Sequence, residues 1–487
     1  MGKGLGVDFK KLLDEHNERQ EAPKLDSFET MFDYGLEDED FVHPLDEMEL
    51  SHDQQAVLDD IEAGHNVLIT GPAGTGKSFL LQYLQEKYYD LAVTATTGIA
   101  ALNVGGVTIH SWARLGIVDK PEQAGHLSPD MYEKALLIQA QAIGDSVSNS
   151  IGQRQDVEEQ IKRTKRIAID EISMLDAFVL QVLNHALKDT MRCKDPFGGK
   201  QMIFFGDFLQ LPPVGKDYRF AFQCQDWVDA DIKVHVLTTV HRQKDEAFAH
   251  SLHRIRQGML TGEDHEMLMS RMITCDDDIK PIKFVPTNKM ADDYNSKRLF
   301  QLDGDVTNYY TNDWFSDKAK ADGDHYKIFK ASLAKDLIEL KVGAQVMLLK
   351  NLDLAGGLAN GSMGKVTEFV DGDPVIEFTN GRVMTIERTD FEIKKGGELY
   401  AKRNQYPLRL AWATTIHKCQ GMTFDKISCD LKKSFADGQV YVALSRTKTL
   451  EGLYIESFDP RKLKANPTAL GFYNWVEYMK TQVSQKD

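Results

Sequence analysis

The chain has 487 residues, 42% of them hydrophobic and 27% charged, with a net charge of −16. That length accommodates about three or four domains, and no apolar run approaches the roughly 20 residues that a bilayer crossing needs. The acidic balance excludes a non-specific nucleic-acid coat, so any polyanion must be held by a local groove and by backbone amides.

The opening stretch "MGKGLGVDFKKLLDEHNERQ" has no apolar signal core and is acidic too early for a transit peptide. Five scattered cysteines without a CxxC pair fit a reducing compartment without a zinc site or disulfide framework. The expected location is the cytoplasm of a bacterium or of a phage-infected host. Residues 1–49 hold 15 acidic and 5 basic side chains. This acidic tail is open to three readings: a solvated linker, a DNA mimic, or a segment that binds a replication or single-strand-binding partner.

From about residue 50 the pattern becomes strand–helix alternation. "HNVLIT", "RIAID", "QMIFFGD" and "KVHVLTTV" read as buried strands separated by helical segments such as "KSFLLQYLQEKY", which predicts a parallel sheet covered on both faces. A polar insertion at about 113–165 interrupts it, and its "IGQRQDVEEQIKRTKR" reads as a surface-exposed helix. A second α/β series follows with "IKFVPTN", "LRLAWATT" (408–415) as one strand, "KISCDL" and "GLYIESF". Between its members, at about 340–393, short alternating runs predict an inserted small β-barrel, with Asn380-Gly381 as a hairpin turn.

"GPAGTGKS" (71–78) matches the GxxxxGK[ST] phosphate loop, between a strand and a helix. The loop Gly71, Pro72, Ala73, Gly74, Thr75 and Gly76 closes backbone N–H groups around phosphate at a helix N-terminus. Lys77 neutralises the β- and γ-phosphates and Ser78 ligates magnesium, so ATP and Mg2+ are the expected cofactors. "IAIDEISM" (167–174) supplies a carboxylate edge: Asp170 for the metal and Glu171 to polarise the attacking water. "FFGDFLQLPPV" (204–214) ends a third strand and offers Gln210, an amide that can donate to the γ-phosphate and accept from the water. Arg242 in "TTVHRQ" and Arg446 in "YVALSRT" can stabilise the charge that develops during phosphoryl transfer.

In this order and spacing the motifs resemble those of superfamily 1 helicases of the 5′→3′ class, and more narrowly the petite-integration-frequency (PIF) helicases, over about residues 50–460. The resemblance rests on Gln54 in "LSHDQQ", "GPAGTGKS", "TATTGIAALNVGGVTIHSW" (94–112), "DEISM", "GDFLQLPPV", "HRQ", "AWATTIHKCQGMTFD" (411–425) and "GQVYVALSRTKTLEGL" (438–453). Residues 171–192 resemble that family's signature segment, and "LANGSMGKV" its barrel-bearing insertion.

The resemblance implies an α/β chain with two RecA-like P-loop NTPase domains, an inserted helical/loop subdomain and an inserted β-barrel subdomain. Its expected bounds are a tail at 1–49, domain 1A at 50–245 with subdomain 1B at 113–165, domain 2A at 246–460 with subdomain 2B at 301–401, and a C-terminal segment at 461–487. It implies adenine recognition by Gln54 and DNA contacts by Thr97, Thr108, His110, Thr415, His417, Lys418 and Thr423. For Thr423 a helix-capping role stays open, and Trp112 is equally a base-stacking platform or core. The implied activity is ATP-dependent 5′→3′ unwinding of forked or tailed duplex DNA, and of G-quadruplexes, by a functional monomer. The alternative is a DNA-stimulated ATPase switch that separates no strands.

Overall fold

The computed structural model describes residues 50–484, apart from 117, 119, 121–128, 216, 241, 244, 276, 286, 322–328, 330–333, 354, 355, 359, 396, 397, 417, 418 and 420. The acidic tail therefore lies outside the described residues. Helix α1 (His52–Glu62) starts at Ser51, whose hydroxyl accepts from the Gln54 amide while the Gln54 side chain accepts from Ser51 N. Strand β1 (Val67–Thr70) runs into the phosphate loop and helix α2 (Lys77–Lys87), and β2 (Leu91–Ala95) and β3 (Val107–Thr108) follow.

The polar insertion contributes two helices, α3 (Pro129–Gly152) and α4 (Gln155–Arg163). The expected surface-exposed helix is α4, whose Gln155, Asp156, Glu159, Lys162 and Arg163 are exposed, but Val157 and Ile161, one turn apart, are buried, as are Leu136, Ala140, Val147 and Ile151 of α3. Charged residues mask a narrow apolar stripe at i and i+4 in α4. Strand β4 (Arg166–Asp170), helix α5 (Ala177–Met191), β5 (Gln201–Phe205) and β6 (Lys233–Val236) complete the first lobe.

Its six strands form one parallel sheet in the order β3-β2-β4-β5-β1-β6. Alternate side chains feed two separate cores. Leu68, Ile167, Ile169, Met202 and Phe204 pack towards α3 and α5, whereas Ile69, Ala168, Ile203 and Phe205 pack with residues of α1 and α2. Burial on both faces is why these strands read as unbroken apolar runs.

Helix α6 (Glu246–Arg256) leads to a second lobe containing β7 (Ile282–Val285), α7 (Asn288–Phe300), β8 (Ala413–Thr415), β9 (Ile427–Asp430), α8 (Gln439–Leu444) and β10 (Leu453–Ser457). Its parallel sheet has the order β8-β7-β9-β10. Between α7 and β8 every described strand pairing is antiparallel, and the strands, from Thr307 to Leu410, divide among sheets of two, five and three strands. Asn380-Gly381 turns the hairpin between Asp373–Phe378 and Val383–Thr385.

The run "LRLAWATT" is not one strand. Leu408–Leu410 pairs antiparallel with Gln345–Leu348, while Ala413–Thr415 joins the parallel sheet. Asn295 of α7 holds the break. Its Oδ1 accepts from Trp412 N and Ala413 N, at 3.1 and 2.8 Å, and its Nδ2 donates to Ala413 O.

The last helix, α9 (Pro467–Ser484), returns to the first lobe. Ala469, Phe472 and Val476 bury in that lobe's core, and Phe472 stacks on Phe222 at 4.4 Å.

Candidate nucleotide and nucleic-acid site

The C-terminal ends of β1, β4 and β5 point at one rim, where open α/β sheets bind ligands. A cavity of about 220 Å³ opens there, lined by Lys77, Ser78, Asp170, Glu171 and Gln210 of the first lobe, with Arg242 and the second lobe's Arg446 and Gly421. Residues as far apart in sequence as Ala73 and Arg446 thus share one pocket. Gln54 is not among the residues that line it; it is buried and engaged in the cap of α1.

Lys77 Nζ folds onto its own loop, donating to Gly71 O at 2.8 Å and Pro72 O at 2.7 Å. Burial lowers its ammonium to about 8, against the carboxylates of Asp207 and Glu171, which favour the charged form. Burial pushes Asp170 up to about 7, and the Glu171 charge acts in the same direction. Glu171 sits in the left-handed region with φ 56°, a costly conformation for a residue with a Cβ, and Thr96 Oγ1 donates to its carbonyl at 3.0 Å.

Gln210 is buried, and its Nε2 lies 3.4 Å from Asp207 Oδ2. Arg242 donates to Ser445 O at 3.0 Å, and burial, helped by the Arg446 charge, brings its guanidinium down to about 9. Arg446 is buried too and donates to Val442 O and Ser445 Oγ.

Two glycines allow the close packing here, Gly74 within the first lobe and Gly438 between the lobes. A Cβ on Gly74, where φ is 84°, would lie 2.4 Å from Arg242 Cβ. A Cβ on Gly438, at the start of α8 with φ 72°, would lie 2.5 Å from Leu209 O and 2.6 Å from Gln210 O.

Several residues here carry no local sequence signal. Tyr441 of α8 accepts the Ala73 amide of the phosphate loop at 2.8 Å. Asp207 and Arg256, both buried, form a two-pronged ion pair at 2.7 and 2.8 Å. A larger cavity of about 610 Å³ adjoins the loop, and Asn351, Asn360 and Ser362, between the antiparallel strands, line it with Thr423. The turn residues of "LANGS" were the one local hint of that edge.

The residues expected on DNA are dispersed. Thr97 and His110 line a cavity of about 510 Å³ with Lys120, Tyr132 and Tyr218. Thr108 caps the helical turn after it, accepting from Ser111 N. Thr415 is buried, its hydroxyl 3.3 Å from Asn288 Oδ1. His417 and Lys418 lie outside the described residues. Trp112 belongs to the core. Among the described residues no helix is long and apolar enough to cross a membrane, and no group of three His, Cys, Asp or Glu is arranged to hold a metal ion.

Comparison with known proteins agrees with this geometry. Residues 49–145 and 138–266 match the PIF1-like helicase family, and residues 327–369 match the 2B domain of DNA helicase Pif1. The chain is 38% identical to the ATP-dependent DNA helicase PIF1 of Danio rerio over 434 residues, covering 87% of this chain and 63% of that protein. It thus spans less than two thirds of that relative's length. The crystal structure of the Pif1 helicase of Candida albicans superposes with a TM-score of 0.66 at 32% identity, covering 88% of this chain and 100% of that one. The Pif1 helicase of Bacteroides in complex with ADP-AlF3 and ssDNA superposes with a TM-score of 0.57 at 29% identity, covering 90% and 98%. With two parallel-sheet lobes, the ordered motifs and these likenesses together, the chain belongs to the PIF1-like helicase family.

Proposed function

We propose that this protein is an ATP-dependent DNA helicase that moves 5′→3′ along single-stranded DNA. The observation that supports the reading is the pocket in which Lys77, Ser78, Asp170, Glu171 and Gln210 face Arg446 across the lobe boundary. A triphosphate held there touches both lobes, so binding and hydrolysis change the lobes' affinity for each other. The relatives' names, and the Bacteroides complex with ssDNA, supply the substrate class.

On this reading the backbone of Gly71–Ser78 wraps the phosphates and Lys77 exchanges the carbonyls of Gly71 and Pro72 for phosphate oxygens, while Gln54 serves the adenine. Glu171 orients the attacking water and takes its proton, Gln210 bridges that water to the γ-phosphate, and Arg242 and Arg446 meet the charge that develops. Ser78 and Asp170 fit a magnesium ion: both line the pocket, and the adjoining Asp170 and Glu171 carboxylates leave negative charge that a cation relieves. When bound, magnesium offsets the charge of the phosphate oxygens.

Thr97, Thr108 and His110 grip the strand from the first lobe, and Thr415, His417, Lys418 and Thr423 from the second. Alternating grip converts each ATP cycle into a step by a monomer working on forked or tailed duplexes in the cytoplasm. The domain bounds are 50–245 with a 113–165 insertion, 246–460 with a 301–401 insertion, and a C-terminal segment at 461–487. The tail at 1–49 is a site for a replication or single-strand-binding partner.

The test uses two partial duplexes, one with a 5′ and one with a 3′ single-stranded tail, with ATP and magnesium. Opening of the 5′-tailed duplex alone is expected. Opening of the 3′-tailed duplex alone refutes the polarity. Hydrolysis stimulated by DNA with neither opened makes the protein an ATPase switch.

A further inference from the structure

Helix α9 follows every motif that identified the site, yet its Tyr473 reaches the machinery from behind. The ring is half-buried, and the hydroxyl points between the ends of β1 and β5. There it lies 2.5 Å from Thr70 Oγ1, the residue before Gly71. It also accepts from Phe208 N at 3.1 Å and donates to Asp207 Oδ1 at 3.0 Å.

A phenol has one hydrogen and two lone pairs. With its hydrogen on the carboxylate and one lone pair on Phe208 N, the remaining lone pair receives the Thr70 hydroxyl. All three positions are filled, so its orientation is fixed.

Asp207 is the other end of this arrangement. Arg256 Nε and Nη2 clamp it at 2.8 and 2.7 Å, Leu209 N donates at 3.1 Å, and Gln210 Nε2 reaches it at 3.4 Å. The Arg256 guanidinium also lies over the Tyr473 ring, 4.8 Å from its centre. One carboxylate therefore connects the phosphate-loop strand, the Gln210 turn, α6 and α9.

We propose that Tyr473 is a positioning residue for ATP hydrolysis, aligning the Asp207 carboxylate so that the Gln210 amide meets the γ-phosphate and the attacking water. It does not line the nucleotide cavity and touches no reacting atom. The proposal rests on the ATPase reading of the site above.

Tyr473→Phe removes the hydroxyl and keeps the ring against Phe472 and Arg256. Single-turnover ATP hydrolysis with excess enzyme is measured for the full chain, for Tyr473→Phe, for Gln210→Ala and for the double variant. Tyr473→Phe is expected to slow hydrolysis about tenfold, the scale of one lost hydrogen bond to a charged group, with ATP affinity, read by fluorescent-nucleotide titration, little changed. In the Gln210→Ala background the same change is expected to have less than about a twofold effect, because the group being positioned is gone. An unaltered rate for Tyr473→Phe, or an equal factor in both backgrounds, overturns the proposal in favour of packing alone. An unmodified protein that hydrolyses no ATP removes the ATPase reading, and the proposal with it. Hydrolysis that DNA fails to stimulate removes only the helicase reading.

Discussion

Glu171 occupies its left-handed conformation at the point where β4 ends and a short helical turn begins, and the neighbouring Asp170 carboxylate accepts its amide at 2.9 Å. A strained residue at the rim of a nucleotide pocket is expected where placement of one carboxylate matters more than local comfort. Glu171→Gln keeps the shape and removes the proposed base. Nucleotide binding should persist while turnover falls about 100- to 10,000-fold, read by fluorescent-nucleotide titration beside phosphate release. Unchanged turnover would remove Glu171 from the chemistry. Lys77, Glu171 and Gln210 were legible because each follows the end of an apolar strand in a fixed motif order, and the structure brings all three to one pocket. Tyr473 and Arg256 were not: each looks like an ordinary residue on an amphipathic helix, and their partners are 266 and 49 positions away. Trp112 shows the converse, a side chain suited to stacking on bases that the core absorbs.

At the level of elements, periodicity revealed the parallel strands because both faces are buried and no polar alternation interrupts them. It failed where one apolar run serves two sheets. Nothing between Leu408 and Thr415 announces a break; the cause is Asn295, more than a hundred residues earlier, which captures the peptide groups between the two pieces. The 113–165 insertion shows a related effect, since the charge of α4 hides the stripe of Val157 and Ile161 that joins the first lobe's core. Gly144 of α3 packs closely against α5, where a Cβ would stand 2.6 Å from His185 Cβ. Gly144→Val should therefore cost about 1–3 kcal/mol, lowering the urea midpoint without altering the slope of the transition. A midpoint within error of the unmodified protein would show that α3 rides loosely on α5.

Across the whole molecule, the Asp207–Arg256 pair joins the first lobe to the helix that enters the second. Burial alone would raise the Asp207 carboxyl, but the Arg256 guanidinium overrides it and holds the group below its ordinary value of 3.8. A carboxyl depressed on folding contributes stability that is fully present above the unfolded value and is lost as pH falls through the folded one. Arg256→Gln leaves a buried carboxylate without its cation and should cost about 3–5 kcal/mol near neutral pH. Because burial without the cation raises the Asp207 carboxyl in the variant, the gap between variant and parent should begin to narrow above the ordinary value of 3.8 as pH falls, and go on narrowing until Asp207 takes up a proton in both. A gap indifferent to pH would mean that the loss came from packing.

The return of α9 also fixes what can be seen of the motion. Leu50 leads into α1, whose Asp53 accepts from Thr238 N beyond the edge strand of the six-stranded sheet, and α9 is buried in the core of that same lobe. Both ends of the described chain thus travel with one body. Under the proposed ATP cycle, a fluorophore pair or a tether attached near Leu50 and Ser484 would report a constant distance throughout. The cleft's opening becomes visible only when one handle is moved to the far side, for instance to the exposed Phe300 at the end of α7.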